Sequence, residues 1–334
     1  MKKKINLLLL LWIILGISFF SYGRYGYHLL LNSADNASKI QHTIETPIVS
    51  QKNRVERNAQ AVFDEDEIKP VKPTEYADAQ LKYVEVINKW GIGAIYSPSA
   101  GVKTKVLAGM SNTNLIVAVG TYQAEQKLGQ GNYIVLAHNL VQGGGALHNI
   151  TKMELGTIIY ATDFSKVYEY KVQINKIENQ ANGELLNEPL VGETAKITLF
   201  RCEGALNTPD RAVVQGEFVT SYPAAEAKVN VLQGLGLTVK EKNVNQANTE
   251  KEKNTEEKTI AEKDESPQTK DTTEITNRKV IETTNFDMTD SVYNSFQTGA
   301  ITVFKAIEQS GYLVGTIYLG VVALFFALGK ILKK

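Results

Sequence analysis

The single cysteine of this chain, Cys202, closes an apolar run that reads Ile197-Thr198-Leu199-Phe200-Arg201-Cys202. β-Branched and aromatic residues in such a run predict a strand. Nine residues past the thiol, Arg211 opens a second run, Arg211-Ala212-Val213-Val214-Gln215-Gly216. Upstream, a third run, Tyr133-Ile134-Val135-Leu136-Ala137, ends on His138. A thiol, an imidazole and a guanidinium, each at a strand end, suit nucleophilic catalysis. A cysteine attacks as thiolate, and a cationic neighbour draws its pKa down from the free value of about 8.5. Each residue also has a plainer role open to it. A lone cysteine is a small buried hydrophobe elsewhere, a histidine beside a strand is often a hydrogen-bonded structural group, and an arginine next to Asp210 or Glu203 forms a surface pair worth little. Spacing alone leaves both open.

The elements that must position these residues are short strands. From Ile92 onward, runs punctuated by Gly, Asn, Pro and Ser predict strands at Ile92–Tyr96, Lys103–Ala108, Leu115–Val119, Tyr133–Ala137, Thr157–Ala161, Val167–Ile177, Ala195–Arg201 and Arg211–Phe218. Many closely spaced short strands predict an all-β barrel or sandwich. The longest gap between them is the loop from Glu178 to Thr194, and Leu147–Met153 reads as a short helix or turn. Ahead of the strands, Pro73-Thr74-Glu75 offers a helix start, and Tyr76, Ala79, Tyr83, Val84 and Ile87 follow at helical spacing, predicting a helix over Glu75–Asn88 packed on the strand domain. Residues 23–73 are polar with weak periodicity and read as a stalk, open to some helix, in which Ile40–Val55 is ambiguous and His28 and His42 are surface residues.

Both ends of the chain are apolar. Three lysines precede a charge-free run from Ile5 to Tyr22, and a second charge-free run, Tyr312–Gly329, precedes Lys330-Ile331-Leu332-Lys333-Lys334. Each run is about as long as the ~17–25 residues that cross a bilayer, and residues 1–22 lack a good small-x-small cleavage site, so they read as an uncleaved signal anchor. Basic flanks prefer the cytoplasmic side. The chain is therefore expected to sit in the cell membrane as a hairpin, both termini cytoplasmic and the strand domain on the extracellular face. Residues 223–286 read as a charged, disordered tether; Lys240–Lys279 contains no aromatic and no Leu. Residues 287–311, with Tyr293, Phe296, Ala300 and Ile307 at helical spacing, read as an amphipathic helix lying on the outer leaflet ahead of a transmembrane helix over 312–330, a simple continuation of the transmembrane helix being the open alternative. With 36 basic and 36 acidic residues the chain carries no net field toward nucleic acid. One cysteine excludes an internal disulfide and any zinc-finger pattern, and leaves a free thiol in an extracellular setting.

The stretch from Gly91 to Phe218 resembles the sortases, the cysteine transpeptidases of Gram-positive cell surfaces, and looks most like class A. The resemblance rests on four blocks in family order: Gly91-Ile92-Gly93-Ala94-Ile95-Tyr96-Ser97-Pro98-Ser99, Gly131-Asn132-Tyr133-Ile134-Val135-Leu136-Ala137-His138-Asn139, Thr198-Leu199-Phe200-Arg201-Cys202, and Arg211 with Val213-Val214-Gln215-Gly216-Glu217. It implies an eight-stranded sortase-type barrel over residues 74–222. It also implies that Cys202 is the nucleophile that cleaves an LPXTG-type signal between Thr and Gly, forming a thioester. His138 is then the acid for the departing amine and the base for the incoming one, and Arg211 stabilises the oxyanion or holds the substrate backbone. The implied partners are LPXTG-bearing surface proteins, a lipid-linked peptidoglycan precursor that supplies the acceptor amine, and the membrane; no nucleic acid is implied.

Arg201 departs from the family, which usually has Thr before the cysteine. Alternation along a strand favours a side chain that points away from the site. His148 competes with His138 for the catalytic or a supporting role. Leu185, Leu186 and Pro189 are expected to grip the Leu-Pro part of the signal, with Arg201 and His148 as further substrate-binding candidates. Some relatives bind calcium near this loop; Glu125, Glu178, Glu184 and Glu188 are the candidate ligands here, but their spacing is not diagnostic, and no cofactor or metal is expected to be required. One alternative is a pilin-polymerising sortase, whose Asp-Pro-aromatic plug has no counterpart in this sequence. An L,D-transpeptidase places Gly and His before its thiol, where Phe200-Arg201 stands. The remaining alternative is a non-catalytic surface-binding protein on the same barrel.

Overall fold

A computed structural model describes residues 2–139, 144–204, 208–239 and 291–331. In chain order the elements are α1 (Lys2–Leu31), β1 (His42–Thr43), α2 (Pro47–Asn58), α3 (Pro73–Leu81), α4 (Tyr83–Trp90), β2 (Gly91–Ser97), β3 (Val102–Leu107), α5 (Asn112–Val117), β4 (Val119–Thr121), β5 (Asn132–Ala137), β6 (Ile158–Thr162), β7 (Lys166–Asn179), β8 (Lys196–Cys202), β9 (Asp210–Pro223), α6 (Val229–Leu235), β10 (Leu237–Thr238) and α7 (Ser295–Ile331). Strands β2 to β9 close into a barrel in the order β2-β3-β4-β5-β8-β9-β7-β6. The β3–β4 and β5–β8 pairs are parallel and the others antiparallel. Alternate residues of each strand fill the lumen, among them Ile95, Val106, Val135, Ile159, Tyr170, Ile197, Leu199 and Val214. A second core outside the barrel joins Leu30, Ile40, Tyr76, Tyr83, Ile87, Leu107, Phe164, Val231 and Leu235.

Five stretches differ from the sequence reading. Leu115–Val119, expected as a strand, is mostly the helix α5, with β4 only beginning at Val119. Ser111 caps it by accepting a hydrogen bond from the Asn114 amide, and burial of Leu115, Ile116 and Val117 overrides the β-branched preference. The single helix expected over Glu75–Asn88 is two, α3 and α4, broken at Lys82, which has φ −97° and ψ 15°. Residues 23–73 are not a free stalk: α1 continues to Leu31, α2 resolves much of the ambiguous stretch as helix, and Leu30 and Ile40 are buried in the second core. His42 is buried as well, not a surface residue, with its ring 3.9 Å from that of Phe164 and its Nε2 3.0 Å from Glu45. At the start of the expected tether, α6 and β10 are ordered, and β10 pairs in parallel with β1; Lys240–Lys279 lies outside the described residues.

The last difference concerns α7. It takes the alternative of one continuous helix, running through the surface-helix stretch and the second apolar run with a break at Ser310, φ −134° and ψ 19°. Its first turns bury Ala300, Ile301 and Phe304 against protein. Both α1 and α7 contain segments long and apolar enough to cross a membrane, Lys3–Leu31 and Ser295–Leu328.

Candidate active site

Three neighbouring strands bring the chemistry together. In the parallel β5–β8 ladder Ala137 pairs with Arg201, and in the antiparallel β8–β9 ladder Cys202 pairs with Arg211. His138 is the first residue after β5. Residues paired across a ladder share a face, and neighbouring strands lie roughly 4.8 Å apart. His138, Cys202 and Arg211 therefore emerge side by side at one end of the barrel, on its outer face. Ile197 and Leu199 point into the lumen, so Thr198, Phe200 and Cys202 point outward. The thiol is exposed, while His138 and Arg211 are half-buried.

His138 is gripped twice by α5. Its amide donates to the Leu115 carbonyl at 3.0 Å, and its ring Nε2 lies 2.8 Å from Asn112 Oδ1. Burial disfavours the imidazolium and lowers the pKa to about 4. At neutral pH the ring is therefore uncharged and able to accept a proton. Arg211 is aimed by its own loop and by the start of the β7–β8 loop: Nη1 donates to the Thr208 carbonyl at 2.8 Å and the Asp210 carbonyl at 3.0 Å, and Nη2 to Gln180 Oε1. A fork held in this way keeps a permanent positive charge beside the thiol.

Two walls flank this row. On one side, Leu136 and Phe200 pack with Met110, Leu115, Phe63, Ile68 and Tyr122. On the other, the β7–β8 loop folds down onto β5, β8 and β9. The Leu185 carbonyl accepts from Asn132 Nδ2 at 2.9 Å and Gln215 Nε2 at 3.0 Å, and Asn132 Nδ2 also reaches the Asn187 carbonyl at 3.0 Å. Thr198 Oγ1 donates to Asn132 Oδ1 at 2.7 Å, and Glu188 Oε2 accepts from the Asn132 amide at 2.9 Å. Leu185, Leu186 and Pro189 sit half-buried in this loop, next to the row of outward residues that ends at Cys202.

Arg201 and His148 are tied to each other by a different set of bonds. The Arg201 side chain is buried on the other face of β8, where Nε donates to the Leu147 carbonyl at 2.9 Å and Nη2 to the His148 carbonyl at 3.0 Å. Its Nη1 donates to the Cys202 carbonyl at 2.9 Å and to Glu203 at 2.6 Å. These bonds fasten the chain after the His138 loop to the strand that carries the thiol. The His148 side chain is exposed, and its carbonyl is one of the groups so fastened. Of the candidate calcium ligands, Glu178 pairs with Lys176 and accepts from Asn182, and Glu188 is held by Asn132. Among the described residues no three His, Cys, Asp or Glu gather as a metal site.

Sequence reasoning misses Asn112, because the run that follows it reads as a strand; Ser111, a helix-capping residue type, is the available signal. It also misses the Asn132, Thr198 and Gln215 network, since isolated polar residues within strand runs carry no mark of what will fold over them.

The family model described as Sortase domain matches residues 95–219. A putative sortase of Bacillus subtilis, YwpE, is 34% identical over 98 residues, which cover 29% of this chain and 93% of that protein. Sortase A of Listeria monocytogenes is 30% identical over 126 residues, 38% of this chain and 55% of that protein, so the match spans about half of its length. A crystal structure of Listeria monocytogenes sortase A aligns at 26% identity with a TM-score of 0.40, covering 44% of this chain and 97% of that one.

Proposed function

Since the chain belongs to the sortase family of cysteine transpeptidases, we propose that it is a class A enzyme that cleaves LPXTG-type signals between Thr and Gly and joins the surface protein to an amine of a lipid-linked peptidoglycan precursor. The observation that carries this reading is the row of His138, Cys202 and Arg211 across the ends of β5, β8 and β9. The Cys202 sulfur attacks the Thr carbonyl carbon as its proton passes to the neutral His138 ring. The guanidinium of Arg211 faces the negative charge that develops on the carbonyl oxygen. As the C–N bond breaks, the imidazolium protonates the departing Gly nitrogen, leaving a thioester. The acceptor amine then attacks the thioester and gives its proton to His138, and the thiolate leaves and recovers that proton. The half-buried Leu185, Leu186 and Pro189 supply apolar surface for the Leu-Pro part of the signal, and Asn132 and Gln215 fasten the loop that carries them.

In this reading the two long apolar helices hold the barrel at a membrane, where a lipid-linked amine and an anchored client both arrive. Basic residues at both ends favour cytoplasmic termini and an extracellular barrel. The test uses the full chain in detergent with a quenched LPXTG peptide and an excess of amine nucleophile, beside Cys202→Ala. Ligated product detected by mass from the wild type alone is the expected result. A folded wild type that yields no product, or a Cys202→Ala protein that matches it, sinks the proposal.

A further inference from the structure

The carboxamide of Asn112 joins two groups from distant parts of the chain. Its Oδ1 lies 3.0 Å from the main-chain nitrogen of Lys69 and 2.8 Å from Nε2 of His138. A backbone N–H can only donate, so the Asn112 atom that faces Lys69 must be the oxygen. A carboxamide oxygen can only accept, so the ring nitrogen that meets it must carry a proton. The Lys69 amide thus fixes an assignment that His and Asn side chains usually leave open.

We infer that Asn112 is a positioning residue that fixes His138 as its Nε2–H tautomer, so that Nδ1 is the nitrogen that exchanges protons with Cys202 and the substrate. The inference rests on the transpeptidase role given to His138 above. Turning the ring over would bring a C–H toward the carboxamide oxygen and forfeit the bond. The backbone cannot follow such a turn, because the His138 amide is tied to Leu115, one helical turn beyond Asn112 on α5. A neutral amide suits this role, since it orients the ring without the charge of a carboxylate, which would favour the imidazolium.

The Lys69 amide is itself held in place. The stretch from the end of α2 to α3 is anchored by the Met110 amide on the Val62 carbonyl at 2.8 Å, by Asn58 Nδ2 on the Ala124 carbonyl at 2.7 Å, and by Tyr122 on Glu65. Through Lys69 this segment determines which way Asn112 turns, and thereby which His138 nitrogen is free. It is part of the proton-transfer apparatus although it contributes no group to the reaction.

The experiment uses the full chain in detergent, with ¹⁵N-labelled histidine and long-range proton–nitrogen spectra that distinguish the tautomers. Wild-type His138 is expected to be protonated at Nε2. Asn112→Ala is expected to give a mixture of tautomers and to lower kcat roughly ten- to a hundredfold at nearly unchanged KM. Asn112→Asp keeps the acceptor, so it should keep the Nε2–H form, raise the His138 pKa by about one or more, and move the acid limb of kcat/KM upward with it. A wild type protonated at Nδ1, or an Asn112→Ala protein with unchanged tautomer, overturns the inference. If Asn112→Ala does not fold, an Asn112→Asp protein whose His138 titrates as in the wild type overturns it equally. The spectra decide the role of Asn112 even in a protein that turns over no LPXTG peptide, whereas the absence of turnover counts against the transpeptidase reading alone.

Discussion

At Arg201 and Cys202, adjacent residues on one strand, alternation assigns opposite duties. Cys202 is exposed on the outer face, while Arg201 turns inward and spends its fork on the Leu147, His148 and Cys202 carbonyls and on Glu203. A buried guanidinium is tolerated because its donors are satisfied and a carboxylate stands beside it. His138 is a different case, buried and uncharged. Its pKa is about 4 folded against an ordinary 6.5. Between those values the unfolded chain binds a proton that the folded protein refuses, so stability is full above about pH 6.5 and falls as the pH drops toward 4. His42, held below its ordinary value chiefly by burial, adds to the same slope, with Glu45 favouring its charge and Lys105 and Arg57 opposing it. We predict that Tm falls between pH 7 and 5, and that His138→Gln flattens part of that fall. Identical pH profiles for the two proteins would refute the assigned titration.

Among the elements, the β7–β8 loop shows how a wall beside the Cys202 row is fastened. Asn132, 1% exposed, connects β5 to Leu185, Asn187 and Thr198, and Gln215 reaches the same Leu185 carbonyl from β9. Each such bond contributes about 0.5–1.5 kcal/mol net, and leaving a buried partner unmet costs more. Asn132→Ala is therefore expected to raise the KM for an LPXTG peptide several-fold with a smaller change in kcat. Leu186→Arg should raise KM through loss of apolar surface. Steady-state kinetics on folded proteins check both; an unchanged KM in the two variants would remove this loop from the substrate site. The helix α5 makes the complementary point. Its Leu115 and Asn112 hold His138 by backbone and by ring, and the run Leu115-Ile116-Val117 does not itself announce that.

Across the full chain, α1 and α7 lie antiparallel, with Trp12 stacked on Tyr318 at 5.8 Å and Tyr27 against Phe304 at 5.3 Å. Gly26 lets the Ala300 backbone come so close that a Cβ would collide with its carbonyl, and the Tyr318 ring occupies the matching space beside Gly16. Close backbone approach at small residues is how helices associate where water provides no drive. The same helix pair is tied to the rest of the protein: Asn36 donates to Tyr293 at 2.8 Å and to Gln80 at 3.1 Å, and Lys305 pairs with Asp78. The barrel thus sits on a braced pair of helices. Gly26→Leu should force the helices apart and destabilise the detergent-solubilised chain by roughly 1–3 kcal/mol; a Tm equal to that of the wild type would show that the helices do not meet there.

Features that depend on local pattern are legible in the amino acids alone. Apolar alternation marks seven of the barrel's strands near their observed places, the two long charge-free runs mark the terminal helices, and Cys202, His138 and Arg211 stand out by residue type at strand ends. Features that depend on contacts between distant residues emerge with the closed fold. Parallel pairing of β5 with β8, 64 residues apart at Ala137 and Arg201, puts the histidine next to the thiol. Burial against Phe164 takes His42 off the surface, and packing on α1 and α3 claims the apolar face of α7 that is expected from its pattern to meet lipid. The Lys69 amide meeting Asn112 is of the same kind. A hydrogen bond of a few ångströms between segments far apart in the chain leaves no periodicity to read, since its partners are chosen by the closed barrel and not by their neighbours in sequence.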